Sequence, residues 1–364
     1  MRTKNTREIM NTFYRYITVM SLIMLIGIAG QDAFAGNKDR SGQAGASELL
    51  INPWARSTGW GNAGTANIRG LEAMWSNVGG TAFTKKTELI FSHTTWLKGS
   101  DVNIFSFGLT QRVGETGVIG LAVMSMNFGD IPITTTEYPD GGLGNYSPNL
   151  MNISLSYAKS FSNSIHAGFV MKIISESISD MSAQGVALDA GIQYVTGSQE
   201  NIHFGITLKN WGPTMKFSGD GLSLKAFIPG QENQFTLEQR QEAFELPTQL
   251  SIGAAYDFLF EHNYRFTLAG NFTSNSFTKD QIILGGEFSL KEYLLLRAGY
   301  TYEEGIWDNI ETSDRTNVSK GLSAGFSVQV PLNKEAGSVF SIDYSYRDTD
   351  HFNGNHTIGA RISF

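Results

Sequence analysis

Residues 356–364 read HTIGARISF and end the sequence. His356, Ile358, Ala360, Ile362 and Phe364 fall on one face of an extended chain, and Thr357, Gly359, Arg361 and Ser363 on the other. Side chains alternate along a strand, so the stretch predicts a strand with one apolar and one polar face. A cation sits in the polar face and an aromatic ring closes the apolar one. Such a strand needs an apolar medium on one side and polar company on the other.

The same rhythm recurs upstream. In MNISLSYA (151–158), Met151, Ile153, Leu155 and Tyr157 oppose Asn152, Ser154, Ser156 and Ala158. In LSIGAAYDF (250–258), Leu250, Ile252, Ala254, Tyr256 and Phe258 oppose Ser251, Gly253 and Asp257. About fourteen such segments follow residue 86, several of ~10 to 14 residues. That is longer than a typical soluble strand and long enough to cross a bilayer at a tilt.

Loop lengths separate a membrane barrel from a soluble sandwich. Counted from the first segment, the even connections are short: VGET (113–116), SNS (162–164), TGSQEN (196–201), EHN (261–263), KEY (291–293) and LNKEAG (332–337). The long ones are all odd: 129–148, 179–184, 212–246, 305–317 and 348–354. Up-and-down barrels of the outer membrane sort their loops this way, with short turns at the periplasmic end. With no water in hydrocarbon, a sheet can span only by closing on itself. The expected fold is therefore an all-β, up-and-down transmembrane barrel of about 14 antiparallel strands. Its inner face carries the charges Asp189, Lys209, Asp257, Arg265, Glu287 and Arg361, expected to pair as structural salt bridges. Aromatics near strand ends, such as Trp96, Trp211, Tyr256, Tyr264 and Tyr293, are expected to form interfacial girdles.

Composition agrees. Charged residues make up 17% of the chain and aromatics 12%, with 40 Gly, and there is no Cys, so disulfides, thiolate metal sites and a Cys nucleophile are excluded. A net charge of −7 gives no reason to expect nucleic-acid binding. The first 35 residues differ from the rest. Arg2, Lys4, Arg7 and Arg15 precede TVMSLIMLIGIAG (18–30) and then AFA (33–35), the pattern of a cleaved signal peptide. The organisation read from sequence is a signal peptide at 1–35, an N-terminal segment at 36–86 and a barrel at 87–364, exported to a Gram-negative outer membrane.

The N-terminal segment is not strand-like, holds Trp54, Trp60 and Trp75, and predicts a short helix around 67–76. Tryptophan in an exposed tail would be unusual, so the segment is expected to fold into the lumen as a plug. Its candidate plug and lumen residues are Trp54, Arg56, Trp60, Trp75 and Asn77.

The run Ala55-Arg56, Gly59, Gly61, Gly64, Ala66, followed by Trp75-Ser76-Asn77-x-Gly79, resembles the N-terminal segment of FadL-like outer-membrane proteins. It is most similar to the PorV/PorQ family of Bacteroidetes. MNFGDIPITTTEYPDGGLGNYSP (126–148) and YAKSFSNSIHAGFVMKIISESISD (157–180) resemble that family as well. One departure is Val78, where FadL-like proteins carry Pro after the Asn. The PorV/PorQ resemblance implies an accessory component of type IX protein secretion that binds the secretion channel or tagged cargo proteins through loops 129–148 and 212–246. The FadL likeness implies an alternative: a transporter of hydrophobic small molecules, with an apolar pocket lined by Trp54, Trp60 and Trp75 that would hold a hydrophobic ligand or detergent. A structural outer-membrane protein without transport is the third reading. The terminal Phe364 resembles the signal that barrels present to the barrel-assembly machinery. It is expected toward outer-membrane lipid at the periplasmic rim, with Arg361 toward the lumen.

No catalytic or cofactor chemistry emerges. GWGNAG (59–64) fits the spacing of a dinucleotide loop, but no buried strand precedes it and Thr84 stands where the acidic residue belongs. His351 and His356 flank an Asn-Gly turn without a third ligand at metal spacing. No G-x-S-x-G occurs. The expectation is a non-enzyme with no cofactor, no metal and no catalytic residue.

Overall fold

A computed structural model describes residues 40–230, 233–313, 315, 317–333 and 337–364. The leader read at 1–35 lies outside the described residues. Strands follow in chain order: β1 (Thr87–Trp96), β2 (Val102–Val113), β3 (Gly117–Asn127), β4 (Ile131–Pro132), β5 (Asn145–Tyr146), β6 (Asn149–Ser160), β7 (Ile165–Ile178), β8 (Met181–Thr196) and β9 (Ile202–Trp211). After these come β10 (Ser223–Phe227), β11 (Gln234–Glu238), β12 (Gln249–Phe260), β13 (Tyr264–Asn275), β14 (Gln281–Leu290), β15 (Leu294–Glu303), β16 (Ser319–Asn333), β17 (Ser338–Thr349) and β18 (Asn355–Ser363). Fourteen of them close an antiparallel barrel in sequence order, and β18 returns to pair with β1. The other four form two small hairpins in the long connections, β4–β5 and β10–β11.

Alternation decides which face each residue takes. Ile358 and Ala360 are exposed on the outside, while Thr357, Gly359 and Arg361 are buried on the inside. Met151, Leu155 and Tyr157 are exposed as well, and Asn152, Ser156 and Ala158 are buried. The outside is a continuous apolar surface, the solvent-facing arrangement reversed, as a strand facing hydrocarbon requires. Closure gives the main-chain groups of the wall a partner on each side. At the seam the ladder runs from Glu88 opposite Ser363 to Thr95 opposite His356. The Phe364 N–H adds a last bond, donating to the Thr87 carbonyl at 2.8 Å. Near the short-turn end, Tyr256 meets Phe258 edge to face, Phe258 lies tilted against Phe266, and Tyr264 lies parallel to Phe288.

Loop parity holds, with two connections shorter than the sequence predicts. Residues 179–184 are not a long loop: β7 and β8 continue into each other through Ser179 and Asp180 alone. Ser179 takes a left-handed φ of 49° to make that turn. Likewise β17 runs on to Thr349 before the next connection begins. Both differences fall at the long-loop end, where strands rise beyond the apolar band and polar residues occupy both faces.

The N-terminal segment lies inside the barrel. Its start is at the long-loop end: Arg40 is paired with Glu245 at 2.5 Å and stacks on Phe277, and Ala44 bridges to Glu245. Its end is at the short-turn end, where Arg112 donates to the carbonyls of Ala82, Thr84 and Lys85. Between these ends the helical pieces are single turns, Ala55–Thr58 and Ala73–Ser76, with tighter 3-10 turns at Ser47–Leu50, Ala63–Thr65 and Val78–Phe83. The helix expected at 67–76 is confined to its last four residues. Gly70, at φ 78°, breaks it, and the Glu88 carboxylate occupies the space where a Cβ would stand.

Candidate functional site

The lumen is where polar chemistry collects, and the segment within it touches every strand of the wall. On one side Ser92 of β1 donates to the Pro53 carbonyl at 2.7 Å. Leu71 and Met74 fill the space over Gly108 of β2 and Gly120 of β3. Val78 and Ala82 pack on Ala158 of β6 and Val170 of β7. On the other side Gln193 of β8 donates to the Ile68 carbonyl at 3.0 Å, and Asn271 of β13 to the Asn62 carbonyl and the Thr65 hydroxyl, each at 2.8 Å. Trp60 packs with Ala255 of β12 and Ile283 of β14. Gly205 of β9 and Gly299 of β15 are places of close backbone approach. A Cβ on either would come within 2.2 Å of the Thr65 or Trp60 carbonyl. Interior glycine in a strand marks such approaches. Gly325 of β16 faces Gly59, and Thr58 bonds Ser345 of β17 at 2.7 Å.

Arg361 of β18 completes the ring and is a hub. Its guanidinium pairs with Glu72 of the segment, reaches Glu88 of β1 at 2.6 Å and approaches Asp343 of β17 at 3.6 Å. The two glutamates in turn receive backbone N–H groups of the segment, Ser57 on Glu72 and Leu71 on Glu88, both at 2.8 Å. Arg56 reaches Asp343 at 3.2 Å and also donates to Ser341. Segment, first strand and last two strands are thus bound into one charge cluster.

A second chain of charges runs along the wall. Arg297 pairs with Glu287 at 2.6 Å, Arg265 bridges Glu287 at 3.1 Å and Asp257 at 3.8 Å, and His203 meets Asp257 at 3.1 Å. A third cluster lies toward the long-loop end: Lys172 pairs with Asp189 at 2.6 Å, beside Lys209. The six inward charges read from sequence are therefore all luminal. Five sit in ion pairs, and Lys209 lies 3.6 Å over the Trp75 ring. Glu48, Glu72, Glu88, Lys172, Arg297 and Asp343 were missed in the sequence. Four of them occupy inward positions of β1, β7, β15 and β17, which the alternation could have flagged. Glu48 and Glu72 lie in the aperiodic segment, where no such signal exists.

The residues singled out in the segment take different places. Trp54 is buried with Leu71, Met74 and Ile90. Trp60 is buried on the opposite side among small residues. Asn77 caps the turn that follows, accepting from the Gly79 N–H at 3.1 Å and donating to Thr65 and Ile192. Val78, in place of Pro, is buried in the β6–β7 wall. Phe364 stands exposed at the short-turn rim. His356 bonds the Tyr344 hydroxyl at 2.8 Å and His351 faces Glu311, so the two do not converge.

Among the described residues, two spaces lie beside the segment in the lumen. One of about 40 Å³ is lined by Trp54, Trp75, Met74 and Glu48, room for a few waters only. The other, of about 800 Å³, lies at the short-turn end and is lined by Arg56, Arg69, Glu88, Asp257, Arg265 and Arg361. Arg69 projects into it over the Phe83 ring, at 4.4 Å. The three tryptophans do not share one apolar pocket: Trp54 and Trp75 border the small space and Trp60 the large polar one.

Comparisons with known proteins come in two kinds. By structure, the chain is similar to the toluene transporter TbuX of Ralstonia pickettii, with a TM-score of 0.53 and 12% identity over 86% of this chain and 97% of that one. The toluene transporter TodX of Pseudomonas putida gives 0.53 and 10% over 86% and 98%, and the monoaromatic hydrocarbon channel CymD 0.51 and 14% over 86% and 98%. At such identities the likeness is one of fold, the FadL-like barrel. A search of curated protein sequences gave no match. By sequence, the family described as type IX secretion system membrane protein PorP/SprF matches residues 81–358. This match begins after the motifs at 55–79 that resemble PorV/PorQ. It shares their secretion system and carries a different family name. Spanning nearly the whole barrel, the match identifies the chain as a member of the PorP/SprF family of type IX secretion system membrane proteins.

Proposed function

We propose that this protein is a plugged, non-conducting outer-membrane component of type IX secretion, one that binds other proteins rather than passing small molecules. The observation that carries the reading is the fixation of the luminal segment to all fourteen strands through hydrogen bonds, close packing and the Arg361 cluster. A transporter of hydrophobic molecules needs an apolar path, and the space left beside the segment is charged and opens at the short-turn end. The family supplies the secretion context. The N-terminal motifs add the narrower PorV/PorQ-like role, an accessory that engages the secretion channel or its tagged cargo.

In the orientation usual for outer-membrane barrels, short turns face the periplasm and the long connections face outward. The partner-binding surface is then formed by connections 128–148 and 212–248. The hairpin β10–β11 within the second sets Leu224 opposite Leu237 and Ala226 opposite Phe235, with the three large side chains exposed. Exposed apolar groups on a projecting hairpin with unpaired edges suit protein contact. The test is a pull-down of the tagged, full-length protein from native membranes, compared with a variant lacking 223–238. Recovery of secretion-machinery proteins by the former and not the latter is expected. Recovery of neither a secretion channel nor tagged cargo, together with uptake of a hydrophobic solute lost in a deletion strain, would overturn it.

A further inference from the structure

Most of the charges that line the space at the short-turn end are already matched. Arg56 is held by Asp343, Arg361 by Glu72 and Glu88, and Arg265 by Glu287 at 3.1 Å and Glu292 at 3.4 Å. Arg69 differs from them. Its main chain is fixed on both sides, because the Ile68 carbonyl accepts from Gln193 and the Gly70 N–H donates to the Gly80 carbonyl at 3.1 Å. Its side chain is exposed within the space, with the guanidinium 4.4 Å over the Phe83 ring. The ring covers one face of the guanidinium, and among the described residues no carboxylate lies at ion-pair distance from it. Glu200 and Asp257 act on it only from further away.

The rest of the lining narrows what a ligand can be. The space measures about 800 Å³, within the range of ligand-binding pockets. Lys85 is a second exposed cation in it, and the side-chain amides of Gln199 and Gln329 lie at the mouth. Neither amide makes a side-chain hydrogen bond within the described residues, and each can both donate and accept. A multiply charged anion would meet Glu88, Glu200, Asp257, Glu287 and Glu292 in the same lining. A hydrocarbon chain would find no apolar path past them. A single carboxylate on a chain of amides meets neither objection. The planar fork of an arginine matches a carboxylate with two parallel hydrogen bonds, and the glutamine amides match a peptide main chain.

We propose that this space is a binding site for a peptide segment of another protein on the short-turn side, and that a carboxylate of the peptide docks on Arg69. In the usual orientation of outer-membrane barrels that side is the periplasm. The site lies at the end opposite the hairpin β10–β11. A partner of the hairpin and a partner of Arg69 are therefore gained or lost independently, and either reading can fail while the other stands.

The experiment is calorimetric titration of the full-length protein in micelles with acetyl-Gly-Ser-Ala-Ser-Ala-Ala ending in a free carboxylate. The same peptide ending in an amide, and inorganic phosphate, are titrated alongside. The acid should bind at millimolar concentration or below, and the amide about 10-fold more weakly, as expected for one hydrogen-bonded charge pair. Arg69→Gln should bring the acid down to the level of the amide, with an unchanged urea midpoint because the side chain holds no ion pair. Arg69→Lys should recover only part, since an ammonium is a point charge and not a fork. Lys98→Gln, exposed in the connection between β1 and β2 at the long-loop end, should bind as wild type does. Binding of the acid should also shift the indole N–H resonance of Trp60, which lines the same space. No binding of the acid at millimolar concentration, equal binding of acid and amide, or wild-type affinity in Arg69→Gln overturns the proposal. So does phosphate binding at least as tightly as the acid, since that would make the site one for a simple anion or a lipid headgroup.

Discussion

Arg361→Met offers the most demanding check on the luminal clamp. Arg361 is 6% exposed, and its guanidinium faces Glu72, Glu88 and Asp343, from the segment, the first strand and the neighbouring strand. Methionine keeps much of the volume and removes the cation, so three buried carboxylates lose their shared partner. Breaking one buried ion pair costs about 3–5 kcal/mol, mostly as the penalty of the charge left behind. Arg56 still reaches Asp343, and Ser57 and Leu71 still donate to the glutamates, so the lower part of that range, about 3 kcal/mol, is expected here. Urea unfolding of micelle-held protein, followed by tryptophan fluorescence, reads the loss directly, since Trp54 and Trp60 report the segment. Arg361→Lys should recover only part, because one ammonium cannot present two forks to three carboxylates. Adding Glu72→Gln to Arg361→Met should regain part of the loss, because one uncompensated charge disappears. A midpoint for Arg361→Met within about 0.5 kcal/mol of wild type would refute the claim that the cluster holds the segment in place.

Three further outcomes are expected. Gly299→Val should displace the segment near Trp60, costing about 1–3 kcal/mol, and raise exchange at residues 58–64 while the wall stays protected; unchanged exchange there would deny the close approach. The connection after β15 is tied by Arg315 to Asp350 at 2.9 Å, and Arg315 with Lys320 holds the Asp350 carboxyl below its ordinary range. Because that group is depressed, its contribution is present above its unfolded value of 3.8 and lost below it; protection of 305–313 should be level at neutral pH and fall under acid conditions, and Asp350→Asn should remove the fall. Deleting Phe364 removes both the rim aromatic and the bond to Thr87, and folded protein in the membrane fraction should drop several-fold; normal levels would make the ending incidental.

Much of this architecture is legible in the sequence because a spanning wall leaves little freedom. Period-2 alternation assigns each residue of β18 its face, and loop parity assigns each connection its end. Arg361 could be placed in the lumen from its position between Ala360 and Ile362. What it meets there could not, since Glu72 lies in a segment of single turns with no periodicity to follow. The 3-10 turns around Asn62 and Asn77 arise from close packing against the wall, a tertiary effect that local propensity does not carry. The same holds for Trp60, whose burial was expected but whose separation from Trp54 and Trp75 depends on where Gly299 and Gly205 let the backbone approach. The hairpin β10–β11 leaves no such trace, because a short two-stranded piece inside a long polar connection has too few residues for a pattern.

The course of the luminal segment also bears on the order of events in making the protein. It meets the wall at β1 from the short-turn end and reaches Arg40 beside Glu245 at the other end. A barrel zipped shut beforehand would oblige the chain to be threaded through a ring already crowded at Gly205, Gly299 and Gly325. Wrapping avoids this: strands can add one after another around a segment already lying along them, each finding its own contact. The last of these contacts is Arg361, carried by the strand that seals the seam and matched to carboxylates from the segment and from β1. Sealing and segment placement are then one event, and a chain whose segment is out of place lacks the counter-charges that its final strand must bury.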